Sequence, residues 1–269
     1  MLKMHCRDYK RFINSAIYKR FACIRYIALQ QTHFANMKLI VIGDIHGRTN
    51  WKQLVDKSAM NVFVGDYFDP YENCTFDELK QNFLEIIQFK TEHPENVVLL
   101  LGNHDYHYIH RGDKCSRFDW LNAANIRNLF VRYKRLFHGI AYSPDEKHII
   151  THAGITSEWA KLYLPTVDED TPLKELEMLI NNLWATNHEA FSFDANSDSY
   201  DAFGTTPTQS PIWIRPEALA EHALNINKDW IQIVGHTQVE AIVEYGKNLP
   251  NLIFVDVLGC EAKAYVKML

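Results

Sequence analysis

Cysteine is sparse and irregularly spaced in this 269-residue chain. The five cysteines are odd in number and never form a Cys-x-x-Cys pair; they are Cys6, Cys23, Cys74, Cys115 and Cys260. Such spacing indicates neither a disulfide framework nor a zinc ribbon. We therefore expect the protein in a reducing cytoplasm, and we expect Cys260 to be buried and inert.

Long apolar runs and an excess of positive charge are also missing. No uninterrupted apolar run approaches the roughly 20 residues that cross a bilayer, so no transmembrane segment is expected. The stretch at 21–29 is interrupted by Arg25 and lacks a clear small-residue cleavage site, which argues against a secretory signal. The net charge is −5, and general nucleic-acid binding, which needs clustered Lys and Arg, is not expected. A small anionic substrate remains compatible if metal ions supply positive charge.

The positive charge that is present is concentrated near the beginning of the sequence. Before Met37 the single acid Asp8 accompanies Lys3, Arg7, Lys10, Arg11, Lys19, Arg20 and Arg25. We predict a basic N-terminal extension at residues 1–36 and a working domain at residues 37–269. We interpret the extension as outside the fold; a membrane-surface, targeting or partner helix is the alternative.

Beyond Met37, short runs rich in Val, Ile and Leu alternate with amphipathic segments. These runs predict strands at 38–42, 61–64, 97–101, 148–151, 231–234, 252–257 and 262–268. Thr75 and Glu78 form a capping box before a helix that runs toward Pro94. Thr171-Pro172 begins a second helix. This alternation predicts an α/β fold, in which the polar segment 191–211 is a long surface loop, either a lid or an ornament.

Oxygen and imidazole donors occur in five short segments, most of them at the end of a predicted strand. The segments are Gly43-Asp44-Ile45-His46-Gly47, Gly65-Asp66-Tyr67-Phe68-Asp69, Gly102-Asn103-His104-Asp105, Thr151-His152-Ala153-Gly154 and Gly235-His236-Thr237. Any one of them alone is typical of a turn. Together they predict a metal site, because carboxylates, amides and imidazoles are the donors that divalent transition metals accept.

This series of segments resembles the motifs of the calcineurin-like metallophosphoesterases, and most of all the branch of serine/threonine phosphoprotein phosphatases and bacterial diadenosine tetraphosphatases. The resemblance spans about residues 38 to 260. It implies an α/β/β/α sandwich of two stacked mixed β-sheets flanked by helices, with two metal ions at the strand ends. By resemblance, the first ion is held by Asp44, His46 and Asp66. The second ion is held by Asp66, Asn103, His152 and His236.

The resemblance also implies a mechanism. The two ions lower the pKa of a shared water, which attacks the phosphorus in line as a metal-bridging hydroxide. His104 is implied as the general acid for the departing alkoxide, and Asp69 as the carboxylate that orients it.

One departure from the family concerns the residues after Asp69. The phosphoprotein phosphatases have Arg-Gly where this chain has Pro70 and Tyr71, so a phosphate-binding guanidinium is missing. Arg215 is our candidate for that contact, with Arg48 and Arg111 as further candidates.

We therefore predict a two-metal hydrolase of phosphate monoesters, with phosphoserine or phosphothreonine as expected substrates. Manganese is the expected metal, and Fe, Zn or Ni are alternatives. The alternative functions are a hydrolase of dinucleotide polyphosphates or phosphodiesters, and a catalytically silent metal-binding module. The expected partner is a phosphoprotein, a nucleotide or a small phosphoester. The remaining histidines are interpreted as surface or satisfied structural groups: His93, His107, His110, His138, His148, His188 and His222.

Overall fold

The computed structural model describes residues 37–110, 116–193, 201, 203–225, 229–245 and 251–269. Lys38–Met268 forms one compact unit. The predicted basic extension at 1–36 lies outside the described residues, so the division of the chain at Met37 stays a prediction. Arg111, Cys6, Cys23 and Cys115 also lie outside them.

Three parallel strands and one antiparallel strand form the first sheet. Strands β1 (Lys38–Ile42), β2 (Met60–Phe63) and β3 (Val97–Leu99) are parallel, and β9 (Tyr265–Met268) pairs antiparallel with β1, giving the order β3-β2-β1-β9. Every residue of β2 and β3 is buried. Strands that are covered on both faces are mostly apolar along their whole length, which is why these segments are near-continuous apolar runs rather than alternating patterns. The polar exception is Asn61 in β2, whose side-chain amide donates to the carbonyls of Asp56 and Ala59.

The second sheet has five strands, and its central three are parallel. They are β5 (His148–Thr151), β6 (Ile231–Val234) and β8 (Asn251–Phe254). Antiparallel edge strands β4 (Ala141–Tyr142) and β7 (Val243–Tyr245) complete the order β4-β5-β6-β8-β7. The predicted α/β architecture with two mixed sheets is confirmed.

The two predicted helices are present. Helix α1 (Phe76–Glu92) has the expected capping box, since Glu78 N donates to Thr75 Oγ1 and Thr75 N donates to Glu78 Oε2. Its apolar face shares a core cluster with first-sheet residues such as Phe63. Helix α5 (Leu173–Thr186) begins one residue later than predicted, with Pro172 as N-cap, because the Thr171 hydroxyl is bonded to Asp168 instead.

Four further helices were not predicted: α2 (Asn103–His110), α3 (Ala123–Tyr133), α4 (Ser157–Tyr163) and α6 (Pro216–His222). Helix α2 begins at a predicted metal-binding segment, and its buried side chains include histidines and tyrosines. Aliphatic periodicity therefore could not reveal it. Within the described ranges, no helix is long and apolar enough to cross a bilayer.

Two expectations about burial were wrong. Gln209 and Ser210, placed in the predicted surface loop, are 2% and 1% exposed. The polar segment can be buried because the Asp201 carboxylate accepts hydrogen bonds from the backbone N–H of Phe203 and Thr206. Residues 194–200 and 202 of that predicted loop lie outside the described part. Cys260 is exposed rather than buried.

Candidate metal centre

The five donor-bearing segments converge at the carboxyl ends of the parallel strands. Asp44 follows β1, Asp66 follows β2 and Asn103 follows β3, while His152 and His236 follow β5 and β6 of the other sheet. Carboxyl ends of parallel strands meet at one sheet edge, and here the edges of both sheets contribute. Asp44, Asp66, Asn103 and His152 are at most 2% exposed.

Asp66 lies at the middle of this cluster. Its Oδ2 atom is 3.5 Å from His46 Nε2 and 3.4 Å from His152 Nε2. Its Oδ1 atom accepts a hydrogen bond from the backbone N–H of His104 at 2.9 Å. Asp44 completes this side, with Oδ2 4.0 Å from His46 Nε2. One carboxylate oxygen of Asp66 is therefore within reach of imidazoles from both sheets.

The Asn103 side-chain oxygen is the second point of convergence. It lies 2.8 Å from His152 Nε2 and 3.1 Å from His236 Nδ1. These two ring nitrogens are themselves 3.2 Å apart. Asn103 is the first residue of α2, so the beginning of that helix fixes its position.

Backbone carbonyls orient each of the three imidazoles. His46 Nδ1 contacts the carbonyls of Phe68 and Asp69 at 3.0 and 2.9 Å, and His152 Nδ1 contacts that of Val64 at 3.0 Å. His236 Nε2 contacts the Trp213 carbonyl at 3.1 Å. A ring nitrogen that donates to a carbonyl leaves the other nitrogen with a free lone pair, which is the usual arrangement of metal-binding histidines.

Backbone strain is concentrated in the same segments. Of the described non-glycine residues, His46, Asp66, Asp69 and His236 have φ between 42° and 65°, and Arg117 is the fifth with a positive φ. Each such conformation costs on the order of 1 kcal/mol and persists where surrounding structure imposes it. A Cβ at Gly102 would overlap the Asp66 carboxylate. The local backbone therefore serves to bring these side chains together.

The cluster has an excess of buried acid. Burial, together with Asp256 and Asp66, raises the pKa of Asp44 well above its ordinary value. Burial also raises the pKa of Asp105 to about 7 and that of Asp256 to about 6. Burial lowers the pKa of His152, but the carboxylates of Asp66 and Asp44 more than offset this and raise it to about 10. Within the described residues, Asp44 Oδ2 and Asp256 Oδ1 have no hydrogen-bond partner.

This donor set fits divalent metal ions. Ligand atoms of Asp44, Asp66 and His152 lie within 4.8 Å of one another, and so do those of His46, Asp66 and His104. The two groups share Asp66, as a carboxylate with two oxygens can. Cations would offset the unpaired buried charge. The second group differs from the predicted ligand set, because it contains His104 in place of Asp44, although Asp44 Oδ2 is also only 4.0 Å from His46 Nε2.

The predicted pair of His104 and Asp69 is in direct contact. His104 Nδ1 lies 2.8 Å from Asp69 Oδ2. Burial lowers the pKa of His104, but the neighbouring carboxylates of Asp66 and Asp69 raise it overall. Tyr108, which sequence reasoning missed, donates its hydroxyl hydrogen to Asp69 Oδ1 and accepts one from the Asp119 N–H. Tyr108 follows His104 by one helical turn, so only the unpredicted helix α2 could have indicated it.

Asp105 connects two of the segments through hydrogen bonds from their backbone N–H groups. Its Oδ2 atom accepts from the N–H groups of Asp66 and Gly102 at 2.8 and 2.9 Å, and its Oδ1 atom accepts from Tyr67 N at 3.1 Å. Its role is thus to hold the segment after β2 against the segment after β3.

The predicted arginines lie at different depths. Arg215 is half-buried and donates from Nη1 to the Thr237 hydroxyl at 3.1 Å, directly beside His236. The Arg48 side chain is only 8% exposed and pairs through Nε with Glu72 at 3.2 Å. Pro70 occupies the position at which the phosphoprotein phosphatases have an arginine, so no cationic side chain is present there.

Among the remaining histidines, His107 differs from expectation. It is 2% exposed, and neither ring nitrogen has a hydrogen-bond partner in the part of the chain that the structure describes. Burial lowers its pKa to about 3. His138 and His222 are paired with Glu177 and Glu158, as satisfied structural groups.

Comparison with known proteins agrees with this geometry. Residues 37–246 match the family model of the calcineurin-like phosphoesterases. A symmetrical bis(5'-nucleosyl)-tetraphosphatase of Haemophilus ducreyi is 24% identical over 174 residues, which cover 61% of this chain. The match spans 60% of that relative's length.

Two solved structures are similar to this chain. A cold-active protein-tyrosine phosphatase of a psychrophilic Shewanella species has a TM-score of 0.50 and 18% identity, covering 82% of this chain and 71% of that one. A protein serine/threonine phosphatase from Saccharomyces cerevisiae has a TM-score of 0.48 and 16% identity, covering 82% and 67%. At these identities the first likeness shows the fold alone.

Proposed function

The chain belongs to the calcineurin-like phosphoesterase family, and from this premise we propose that it is a two-metal hydrolase of phosphate monoesters. The observation that carries the proposal is the pair of buried ligand groups that share Asp66. Buried acids without sufficient counter-charge are costly, so their retention at strand ends favours a site for cations.

The proposed ligands follow from the donors in the cluster. Asp44, His46 and Asp66 would hold one ion, and Asp66, Asn103, His152 and His236 would hold the other. When bound, the ions would lower the pKa of a shared water and neutralise the phosphoryl oxygens. Mn²⁺ is our proposed metal, although Fe, Zn and Ni accept the same donors.

His104 would supply the leaving-group proton. Its Nδ1 atom is engaged by Asp69, so the proton for the departing oxygen would come from Nε2. Asp69 and Tyr108 would hold the ring in that orientation. Arg215 would bind a phosphoryl oxygen from the side of His236.

The proposal is tested by assaying the full chain with Mn²⁺ on p-nitrophenyl phosphate and bis(p-nitrophenyl) phosphate. We expect the monoester to be preferred. The His104→Ala variant should lose about 100-fold to 10,000-fold in rate and keep its metal content, measured by atomic emission. His222→Ala is the matched control and should retain full rate.

An Asp66→Asn variant should lose both bound metal and activity. Wild-type rates in His104→Ala would contradict the role of that residue. Absence of hydrolysis of either ester by the metal-loaded wild type would contradict the proposed function, and retained metal would then support a silent metal-binding module.

A second candidate is the hydrolysis of dinucleotide polyphosphates, which the match to the Haemophilus ducreyi tetraphosphatase favours. Turnover of a phosphoserine or phosphothreonine peptide, compared with that of diadenosine tetraphosphate, separates the two candidates. We also propose a reducing compartment such as the cytoplasm, with which the free thiols of Cys74 and Cys260 agree.

A further inference from the structure

Tyr71 lies at the solvent-facing rim of the proposed metal centre. Its ring meets the ring of His46 edge-on, with centroids 4.8 Å apart and planes at 90°. The side chain is nevertheless 48% exposed. Burial of part of the phenol, followed by the charges of Asp66 and Asp44, raises its pKa. One end of this residue therefore faces the ligand cluster while the rest faces water.

Two guanidinium groups lie over the Tyr71 ring. The Arg117 Cζ atom is 4.3 Å from the ring centroid and that of Arg48 is 5.4 Å away. Both distances are within the range of favourable cation–π contact. The Tyr71 ring, which contacts the proposed ligand His46, thus brings two cationic side chains to a centre that contains several buried acids.

The two arginines differ in what else they bind. Arg48 is buried, pairs with Glu72 and donates to the Asp44 carbonyl at 3.4 Å. Arg117 is exposed, and its Nη1 atom reaches only the Pro70 carbonyl at 3.5 Å, which is a weak hydrogen bond. None of the carboxylates in the described ranges lies within ion-pair distance of it. Among the described residues, most of the Arg117 donor capacity therefore has no partner.

We propose that Arg117 binds the phosphoryl group that is hydrolysed, and that Tyr71 positions it for this contact. A guanidinium presents paired N–H groups that match two oxygens of a phosphate. The carbonyl of Pro70, the residue position that lacks a cation of its own, and the ring of Tyr71 hold that group, and the Tyr71 ring in turn contacts His46. This inference rests on the proposed function, because it needs a phosphate at the centre.

The test uses the full chain loaded with Mn²⁺ and measures kcat, KM for p-nitrophenyl phosphate and competitive inhibition by inorganic phosphate. Arg117→Ala should raise KM and the phosphate inhibition constant by roughly tenfold or more, as expected for lost hydrogen bonds to a charged group. Arg117→Lys should recover only part of this, because an ammonium is a point charge.

Tyr71 should behave as a positioning residue. Tyr71→Phe keeps the ring and should leave both constants unchanged. Tyr71→Leu should raise them about two- to fivefold, in line with an exposed cation–π contact. In an Arg117→Ala background, Tyr71→Leu should have no further effect, because the group it orients is gone. Equal effects of Tyr71→Leu in both backgrounds would overturn its positioning role.

The matched control is Arg132→Ala, which removes a similar stack of an exposed arginine over Tyr133, with Cζ 5.3 Å from the ring centroid. It should change neither constant. Unchanged KM and phosphate inhibition in Arg117→Ala, with an active wild type, would overturn this inference and leave the proposed function standing. If the wild type hydrolyses no ester, the proposed function fails. Calorimetric binding of inorganic phosphate to the Mn²⁺-loaded protein then decides the role of Arg117, and equal affinity in Arg117→Ala overturns it.

Discussion

Asp44 and Glu177 are both buried carboxylates, but their surroundings are opposite. Glu177 on α5 accepts hydrogen bonds from His138 Nε2 and Ser143 N at 2.7 Å each, and from Lys174 Nζ at 3.0 Å. Burial raises its pKa, yet these donors lower it overall. Asp44 sits among other acids, one of its oxygens has no partner within the described residues, and its pKa is raised.

The difference separates a structural carboxylate from a proposed metal ligand. At Glu177 the protein supplies its own donors, and the bonds connect α5 to the residues around β4. At Asp44 the His236 N–H binds one oxygen, the other has no partner among the described residues, and Asp66 and Asp256 add further negative charge nearby. A buried charge without a partner destabilises the fold unless a ligand compensates it. The centre therefore costs stability in the metal-free protein, whereas the Glu177 cluster contributes stability.

Asp44→Asn should have the largest effect, because it should lower activity without lowering the stability of the metal-free protein. It removes one buried negative charge but keeps the oxygen that accepts the His236 N–H. With Mn²⁺ we expect phosphomonoesterase activity to fall by more than the roughly 100-fold that loss of an outer-shell partner costs. The metal-free variant should unfold at the same temperature as the wild type or higher, as calorimetry would measure. A clearly lower unfolding temperature would contradict a destabilising Asp44.

A bound metal ion should offset the unpaired negative charge of Asp44 and thereby stabilise the folded protein. Mn²⁺ at about 100 times its dissociation constant should raise the free energy of unfolding by about 2.7 kcal/mol. Glu177→Gln should show the same increment, and Asp44→Asn a much smaller one. Urea titrations with Mn²⁺ or with EDTA measure this. An equal increment in Asp44→Asn would mean that metal binds elsewhere.

Glu177→Gln tests whether the hydrogen-bonded carboxylate of Glu177 stabilises the fold. We expect a loss of about 1 to 3 kcal/mol in the free energy of unfolding, because charged hydrogen bonds from His138 and Lys174 are weakened, with little change in activity. Since the pKa of Glu177 is lowered from 4.5 in the folded state, its contribution is present above that pH and disappears as the pH falls through the folded pKa. Glu175→Gln, an exposed position on the same helix, is the control. A difference that persists unchanged at low pH would contradict this explanation.

Tyr108→Phe asks whether a carboxylate inside the centre can also be held by protein donors. Asp69 receives the Tyr108 hydroxyl and contacts His104, so it resembles Glu177 more than Asp44. We expect kcat to fall by about tenfold, the lower end of the range for a partner that orients a functional group, while KM stays constant. Tyr133→Phe is the matched control. A change in KM alone would show that Tyr108 affects substrate binding instead.

The sequence predicted the parts of the fold and site that depend on local pattern. The convergence of Asp44, Asp66 and His152 could be predicted because each lies within three residues of the end of a buried apolar strand. Tyr108 and Arg117 could not, because their partners Asp69 and Tyr71 lie 39 and 46 positions away and only the packing of α2 and the residues after it brings them together. The segment around Gln209 was misjudged since its polarity is satisfied internally rather than by water.

The pairing of β9 with β1 has a consequence for the order in which the protein matures. The strand nearest the beginning of the domain is bordered by the strand nearest its end. A hydrogen bond from His236 to Asp44 spans 192 positions. During synthesis, a ribosome that has released the chain only as far as α2 has exposed Asp44, Asp66 and Asn103 but neither His152 nor His236. Such long-range contacts form late and slowly. The proposed ligand set is thus complete only after the chain through His236 has been synthesised and has folded.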